Sequence, residues 1–264
     1  MVPRLQIIGG GKMGEALLSG LLAAGWAPPE ALRVVEKLPD RAEALRAAHP
    51  GVAVAAEPGP AEGHLVAVKP GDVEAACRAL PTDPPGARVL SIAAGVTLAR
   101  LEAALPAGTP VVRAMPNTPV LVGAGASAIA AGAAAGEDDL AWAESILGAG
   151  GTVVRLDEPL LDAVTGLSGS GPAYVFLVAE ALIEGGVLAG LPRPVAHTLA
   201  VQTLLGAARM LDEAGEGPEA LRAAVTSPGG TTAAGLRALE RAGVRAAFLD
   251  AVTAATDRSR ELGR

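Results

Sequence analysis

The chain holds one cysteine (Cys77), three histidines, three lysines, one asparagine and few rings: two Trp, one Tyr and two Phe in 264 residues. Each scarcity excludes something. A single cysteine rules out an internal disulfide framework and any cysteine-cluster metal site. His49, His64 and His197 lie far apart and none stands in a metal-ligand spacing, so no metal is expected. The formal net charge is −7, the basic residues are scattered without a Lys/Arg run, and the aromatics are too few for base-stacking platforms. Nucleic acid is therefore not an expected partner. The opening Met-Val-Pro-Arg-Leu-Gln-Ile-Ile-Gly has too short an apolar run for a signal peptide, which makes the cytoplasm the expected compartment.

Uninterrupted hydrophobic spans are lacking too. Residues 114–136 and 163–179 carry no charge, but the first contains Pro116, Asn117 and Pro119 and is otherwise mostly Ala and Gly. The second is broken by Ser168-Gly-Ser-Gly-Pro172. Both read as parts of a water-soluble fold, and no membrane partner is expected.

What is abundant is small and apolar. Half of the residues are apolar, and 34 Gly and 21 Pro occur without a Gly-X-Y period, a composition that folds. The length admits one large core or two smaller ones. Strands are expected at Leu5 to Ile8, Leu32 to Glu36, Leu65 to Val68, Val89 to Ile92, Pro110 to Ala114, Ala126 to Ala130 and Thr152 to Arg155. Helices are expected between them, from Lys12, Arg41, Asp72, Leu98 and Asp138. That alternation predicts βαβ units and a mostly parallel sheet covered on both faces. Beyond about residue 158 only helices are expected: Pro172 to Leu188, Pro194 to Ala214, Pro218 to Val225, Thr232 to Ala242 and Val244 to Leu262. Pro172, Pro194 and Pro218 suit first turns, and Gly215 and Gly243 suit ends. Tyr174-Val-Phe-Leu-Val-Ala is apolar all round, and so short a helical region offers little to bury it in, which predicts association. The division is residues 1–157 and 158–264.

Gly9-Gly-Gly11-Lys-Met-Gly14 follows the first strand and opens the first helix, the context a dinucleotide fingerprint requires. Lys12 adds positive charge inside this loop. Glu36 ends the second strand, where an acid bonds the adenosine ribose 2′-hydroxyl of NAD and repels the 2′-phosphate of NADP. Lys37 and Arg41 stand close by and suit that phosphate, so NAD against NADP stays open. Val68-Lys69-Pro70 and Ala93-Ala94-Gly95 end the third and fourth strands, where a ligand of an open α/β sheet lies. Asn117, bracketed by prolines after the fifth strand, is either a positioned polar contact or part of a structural turn. Thr226-Ser-Pro-Gly-Gly230-Thr-Thr232 leaves backbone N–H groups uncovered at a helix start, an anion site suited to a carboxylate; in the plainer reading Thr231 or Thr232 is an N-cap.

Together, Gly9-Gly-Gly-Lys-Met-Gly-Glu-Ala16, Ala67-Val-Lys-Pro70, Val112-Arg-Ala-Met-Pro-Asn-Thr-Pro119, Gly166-Leu-Ser-Gly-Ser-Gly-Pro-Ala-Tyr174 and Ser227-Pro-Gly-Gly-Thr-Thr232 resemble the pyrroline-5-carboxylate reductase family over essentially the whole chain. The last motif is close to diagnostic and the first is generic. The resemblance implies an α/β Rossmann-like nucleotide-binding domain followed by an all-α C-terminal dimerisation domain. It implies reduction of the ring imine of L-1-pyrroline-5-carboxylate to L-proline by NADPH or NADH, the last step of proline biosynthesis. The cofactor would lie against Gly9, Gly10, Gly11, Lys12, Met13 and Gly14. It would continue past Glu36 and Lys37, along Ala67, Val68, Lys69 and Pro70, and past Ala93, Ala94, Gly95 and Asn117. Ser227, Gly230 and Thr231 would hold the substrate carboxylate, with Thr232 as the catalytic residue at the imine nitrogen. Family members pair through their helical domains, with the threonine loop of one subunit facing the nucleotide domain of the other, and some build decamers from dimers. Two departures stand out. Glu36 replaces a neutral or phosphate-friendly residue, and Ala53-Val-Ala-Ala-Glu57 lacks the asparagine that relatives use at the adenosine.

Two other functions fit parts of the pattern. A related imine reductase or hydroxyacid dehydrogenase shares the fold, but the latter usually needs an acid-base Lys or His that Ser168-Gly-Ser-Gly-Pro-Ala-Tyr174 does not offer. A non-catalytic nucleotide sensor would leave the Ser-Pro-Gly-Gly-Thr-Thr segment idle.

Overall fold

The computed structural model describes residues 2–81 and 86–263, which form two compact units. The first holds the chain as far as Ser170 and the residues from Thr253 onward; the second is Gly171–Val252.

The first unit is built on strands β1 (Leu5–Ile8), β2 (Leu32–Val35), β3 (Ala53–Ala55), β4 (Gly63–Val66), β5 (Arg88–Ser91), β6 (Val111–Met115), β7 (Gly125–Ala131) and β8 (Gly151–Arg155), in the sheet order 3-2-1-4-5-6-7-8. Neighbours pair in parallel throughout, save β6 with β7. The parallel part is connected by α1 (Lys12–Ala23), α2 (Pro39–Ala48), α3 (Val73–Arg78) and α4 (Leu98–Ala103), and α5 (Glu137–Leu147) leads from β7 to β8. Between β6 and β7 there is only a short 3₁₀ stretch, Thr118–Val122, too little chain for a crossover, so the strand turns back. β3 has no counterpart among the expected strands. At three residues it is too short to show a period, and it forms because Val54 pairs beside Val34.

Both faces of the sheet are covered, which is why its strands read as nearly continuous apolar runs. Leu90 and Val112 face a cluster with Leu17, Leu21 and Ile146, whereas Val89 and Val111 face another with Val73, Leu101 and Leu161. Leu161 belongs to the short helix α6 (Leu161–Val164), and Ser259 Oγ donates to Asp162 there at 2.7 Å. Residues 158–170 and 253–263, which the sequence division gives to the second domain, thus pack with the sheet unit.

One buried polar pair carries a pH consequence. Gln6 on β1 faces His64 on β4; Gln6 Oε1 accepts from Gly59 N, so Nε2 donates to Gly59 O and meets His64 Nδ1 at 3.1 Å. Nδ1 is then the acceptor and the ring proton sits on Nε2, which has no partner. Burial pushes His64 down to about 4 from 6.5. The neutral ring suits the fold, so its contribution is complete above pH 6.5 and is lost as pH falls towards 4. Urea titrations from pH 7 to pH 4 are expected to lose about 3 kcal/mol more in the parent than in His64→Leu, by the linkage of roughly 1.4 kcal/mol per unit. Parallel curves for the two proteins would contradict this.

The second unit contains α7 (Gly171–Leu188), α8 (Arg193–Glu213), α9 (Pro218–Ala224), α10 (Thr231–Arg241) and the beginning of α11 (Val244–Leu262). Gly215 and Gly243 follow α8 and α10 with φ of 67° and 72°, the left-handed step that glycine takes most easily. Its buried apolar cluster is only Ile183, Ala196 and Ala200, where α7 meets α8. Phe176, Leu177, Leu188 and Leu249 are 62%, 65%, 91% and 70% exposed. The helical run Glu158–Leu188 is also long and apolar enough to cross a bilayer by length and composition.

Candidate functional site

A cleft runs over the carboxyl ends of the parallel strands, at the point where strand order reverses between β1 and β4, where ligands of open α/β sheets bind. It has two adjoining parts that share Ala67 and Val68 as a common wall. The first, about 440 Å³, is lined by Gly9, Gly11, Glu36, Lys37, Lys69 and neighbouring residues including Glu57 and Asp72. The second, about 310 Å³, lies against Met13, Pro70, Ala93, Ala94, Met115 and Asn117 and is mostly apolar.

The glycines earn their places differently. Gly9 has φ of 104°, and a Cβ there would lie 2.8 Å from Ala67 O, because the ends of β1 and β4 close together. Gly10 is packed against Leu45, and its N–H donates to Glu36 Oε2 at 3.1 Å. Gly11 is the N-cap of α1, makes no side-chain cap and has open space where a Cβ would stand. Gly14 is buried, and a Cβ would sit 2.1 Å from Gly9 O, so the absence of a side chain lets α1 lie against the loop. An uncapped helix N-terminus behind a glycine turn presents N–H groups and a positive dipole end to a pyrophosphate. These features fit a dinucleotide in this cleft.

The other expected residues divide. Ala67, Val68, Lys69, Pro70, Ala93 and Ala94 all line the cleft. Lys12 is exposed on the first turn of α1 and does not line it. Gly95 does not either: with φ of 74° it abuts Leu262 near the end of α11, 3.3 Å from where its own Cβ would be. Asn117 is in the wall, and its amide is engaged on both sides, Nδ2 donating to Ser168 O at 3.0 Å and Oδ1 accepting from Ala126 N at 2.8 Å. It ties the π-helical turn Thr165–Gly169 to the start of β7, which is the work of a structural turn. Gly169 reaches the cleft on that turn and was not among the expected cofactor residues; its place in Gly166-Leu-Ser-Gly was the available signal.

In the second unit, α10 begins at Thr231 with Gly230 as N-cap. The N-cap reading of the threonines is therefore replaced: they occupy the first two helical positions, both exposed, and Gly230 supplies no capping side chain. Gly230 packs tightly on Ser227, its N–H donating to Ser227 O at 3.1 Å, and Gly229 takes φ of 70°. The outcome is an open helix start carrying the exposed hydroxyls of Thr231 and Thr232, with Ser227 beside it. The one thiol is not equipped for chemistry, since burial, helped by Glu74, pushes Cys77 up to about 11. No group of His, Cys, Asp and Glu among the described residues is arranged to hold a metal.

Residues 4–95 match the family described as NADP oxidoreductase, coenzyme F420-dependent, and residues 158–262 match pyrroline-5-carboxylate reductase dimerisation. Fold, cleft and these matches define a nicotinamide-dependent oxidoreductase. A pyrroline-5-carboxylate reductase of Synechocystis is 47% identical, over 99% of this chain and 98% of that one. The structure of one from Coxiella burnetii covers 100% of both chains with a TM-score of 0.92 and 36% identity. A Plasmodium falciparum pyrroline carboxylate reductase crystallised with NADP covers 99% of this chain and 98% of its own, with a TM-score of 0.88 and 28% identity. The chain belongs to the pyrroline-5-carboxylate reductase family. The match to the dimerisation family takes in the apolar run Glu158–Leu188, and association through the C-terminal helices accounts for its exposed faces.

Proposed function

We propose that this chain reduces the ring imine of L-1-pyrroline-5-carboxylate to L-proline, the last step of proline biosynthesis, using NADPH or NADH. The observation that carries this reading is the segment Ser227–Thr232, an open helix start with two exposed threonine hydroxyls, in a chain that also builds a dinucleotide cleft. The bound cofactor supplies the hydride. Ser227, Gly230 and Thr231 hold the substrate carboxylate, with donors from Ser227 and from the Thr231 N–H at the open start of α10, reinforced by the α10 dipole, while Gly230, its own N–H bonded to Ser227 O, leaves the approach unobstructed. Thr232 hydrogen-bonds at the imine nitrogen, its Oγ accepting from the N–H of a protonated imine or its O–H donating to an unprotonated one. A threonine hydroxyl is too weak an acid to be the proton source, so it orients a nitrogen already protonated or relays a proton from water. The ring carbon takes the hydride, the nitrogen keeps the proton, and the C=N bond becomes CH–NH. Small residues along Ala93-Ala94 leave a flat apolar slot for the nicotinamide, and holding the two reacting carbons close is itself worth several kcal/mol.

Glu36 in the wall of the first part of the cleft favours an unphosphorylated ribose, and hence NADH. The working unit is a cytoplasmic homodimer formed through the C-terminal helices, with a decamer as an assembly of such dimers.

Following NADH and NADPH oxidation with pyrroline-5-carboxylate tests the reaction; no substrate-dependent oxidation with either cofactor refutes it. Thr232→Ala is expected to lower kcat about a hundredfold, within the range of a lost proton-transfer partner, while cofactor binding stays as it was. Thr232→Ser is expected to keep most of the rate. An undiminished rate in Thr232→Ala would remove this role from Thr232 alone.

A further inference from the structure

We propose that Glu15, which touches no part of the cleft, is a specificity-determining residue that keeps the enzyme from NADPH by holding Arg41 away from the adenosine ribose. The inference rests on the reading of the cleft as an NAD(P)H site.

The two cofactors differ by one phosphate on the ribose beyond the end of the second strand, and a protein selects between them with the charges it places there. Here that position belongs to Glu36. Its carboxylate is fixed by two backbone donors, Gly10 N at 3.1 Å and Leu38 N at 2.9 Å, so it does not swing aside for an incoming anion. The lining of this part of the cleft carries Glu36, Glu57 and Asp72 against Lys37 and Lys69. A doubly charged phosphate needs a further cation, and Arg41, on the first turn of α2, is the guanidinium bonded to the loop that forms the cleft.

Arg41 is already engaged. Its Nε donates to Gly10 O at 2.7 Å and its Nη2 to a carboxylate oxygen of Glu15, on the first turn of α1. The other oxygen of Glu15 lies 3.4 Å from His49 Nε2. Arg41 and Glu15 are each 30% exposed, so water screens the pair only in part. The Arg41 guanidinium holds the Glu15 carboxyl below its usual range, which keeps this partner charged at working pH. Recruiting Arg41 to a phosphate would strip Glu15 of its main counter-charge. Glu15 occupies a first-turn position where an acid is favourable to the helix, and its side chain faces α2 rather than the cleft.

The test measures dissociation constants for NADH and NADPH without substrate, by calorimetry, on the parent, Glu15→Ala, Arg41→Ala and the double variant. Glu15→Ala is expected to tighten NADPH about tenfold, the size of one charge-assisted contact, and to shift NADH less than about twofold. In the Arg41→Ala background the gain should vanish. Glu15→Gln, which keeps the side-chain length and one acceptor, is expected to move in the same direction by a smaller factor, and melting temperatures confirm that all variants fold. An unchanged NADPH constant in Glu15→Ala, an equal gain for both cofactors, or a gain that survives without Arg41 would each overturn the proposal while leaving the cleft assignment intact. If the parent binds neither cofactor, the cleft assignment fails and the proposal falls with it.

Discussion

Gly14→Ala is expected to destabilise the protein and to cost it the cofactor, whereas Gly11→Ala should cost affinity alone. The methyl group at position 14 would lie 2.1 Å from Gly9 O, which is backbone and has no rotamer to yield. Either α1 lifts from the strand or the glycine turn opens. Overpacking of this kind costs about 1–3 kcal/mol, and displacing a phosphate cradle by even about an ångström is worth on the order of a hundredfold in binding. At position 11 the methyl group meets nothing within 4 Å, and its φ is ordinary for any residue, but it points into a position that lines the cleft. Thermal melts with and without NADH separate the two outcomes. A Gly14→Ala protein with parental melting and parental affinity would refute the packing described for α1.

The second large effect concerns assembly. Phe176→Asp combined with Leu177→Asp is expected to convert the associated species to monomer at micromolar concentration, read by light scattering. These side chains are 62% and 65% exposed in the single chain, on a helix whose unit buries only Ile183, Ala196 and Ala200. Burying two carboxylates in an apolar contact costs several kcal/mol, so the dissociation constant should rise by about a thousandfold or more. Because so small a core cannot hold five helices, helical content and melting temperature should fall with the mass. A variant that keeps the parental mass would show that α7 is not the contact surface. The parental mass itself distinguishes a dimer from a decamer.

Much of the architecture was legible because it rests on local chemistry. Glycine after a β-branched strand, proline at positions 172, 194 and 218, and glycine at 215 and 243 all sit where backbone geometry demands them, within a residue or two of the observed ends. What escaped was decided by contacts distant in sequence. β3 exists because β2 offers it an edge. The reversal at β7 was deducible in principle from the lack of a helix between residues 115 and 125, but the apolar pattern of β7 is the same in either direction. At the site, glycine and alanine signalled the cleft well, since what matters there is the absence of side chains. Charged residues were harder. Lys12 stands in the fingerprint yet faces outward, and Arg41 follows Glu36 closely in sequence yet is bonded to Glu15 and does not line the cleft. Pairings of that kind follow from how α1 and α2 are packed, and no spacing in the sequence encodes them. The packing of Gly95 was hidden for a similar reason: its neighbour, Leu262, lies far along the chain.

That contact with Leu262 also bears on how the protein is made. The sheet unit is closed by residues from Thr253 onward, through Ser259 on Asp162 and Leu262 on Gly95. A ribosome adding about 5–20 residues per second exposes all eight strands long before it exposes that segment. The whole of Gly171–Val252 must be translated first. During this interval the nascent nucleotide domain lacks its final packing element and the loop after β5 lacks its contact with Leu262. Completion of the first unit therefore follows synthesis of α7 to α10, so that the cofactor site is finished only after the apolar surface that meets a second copy has been made.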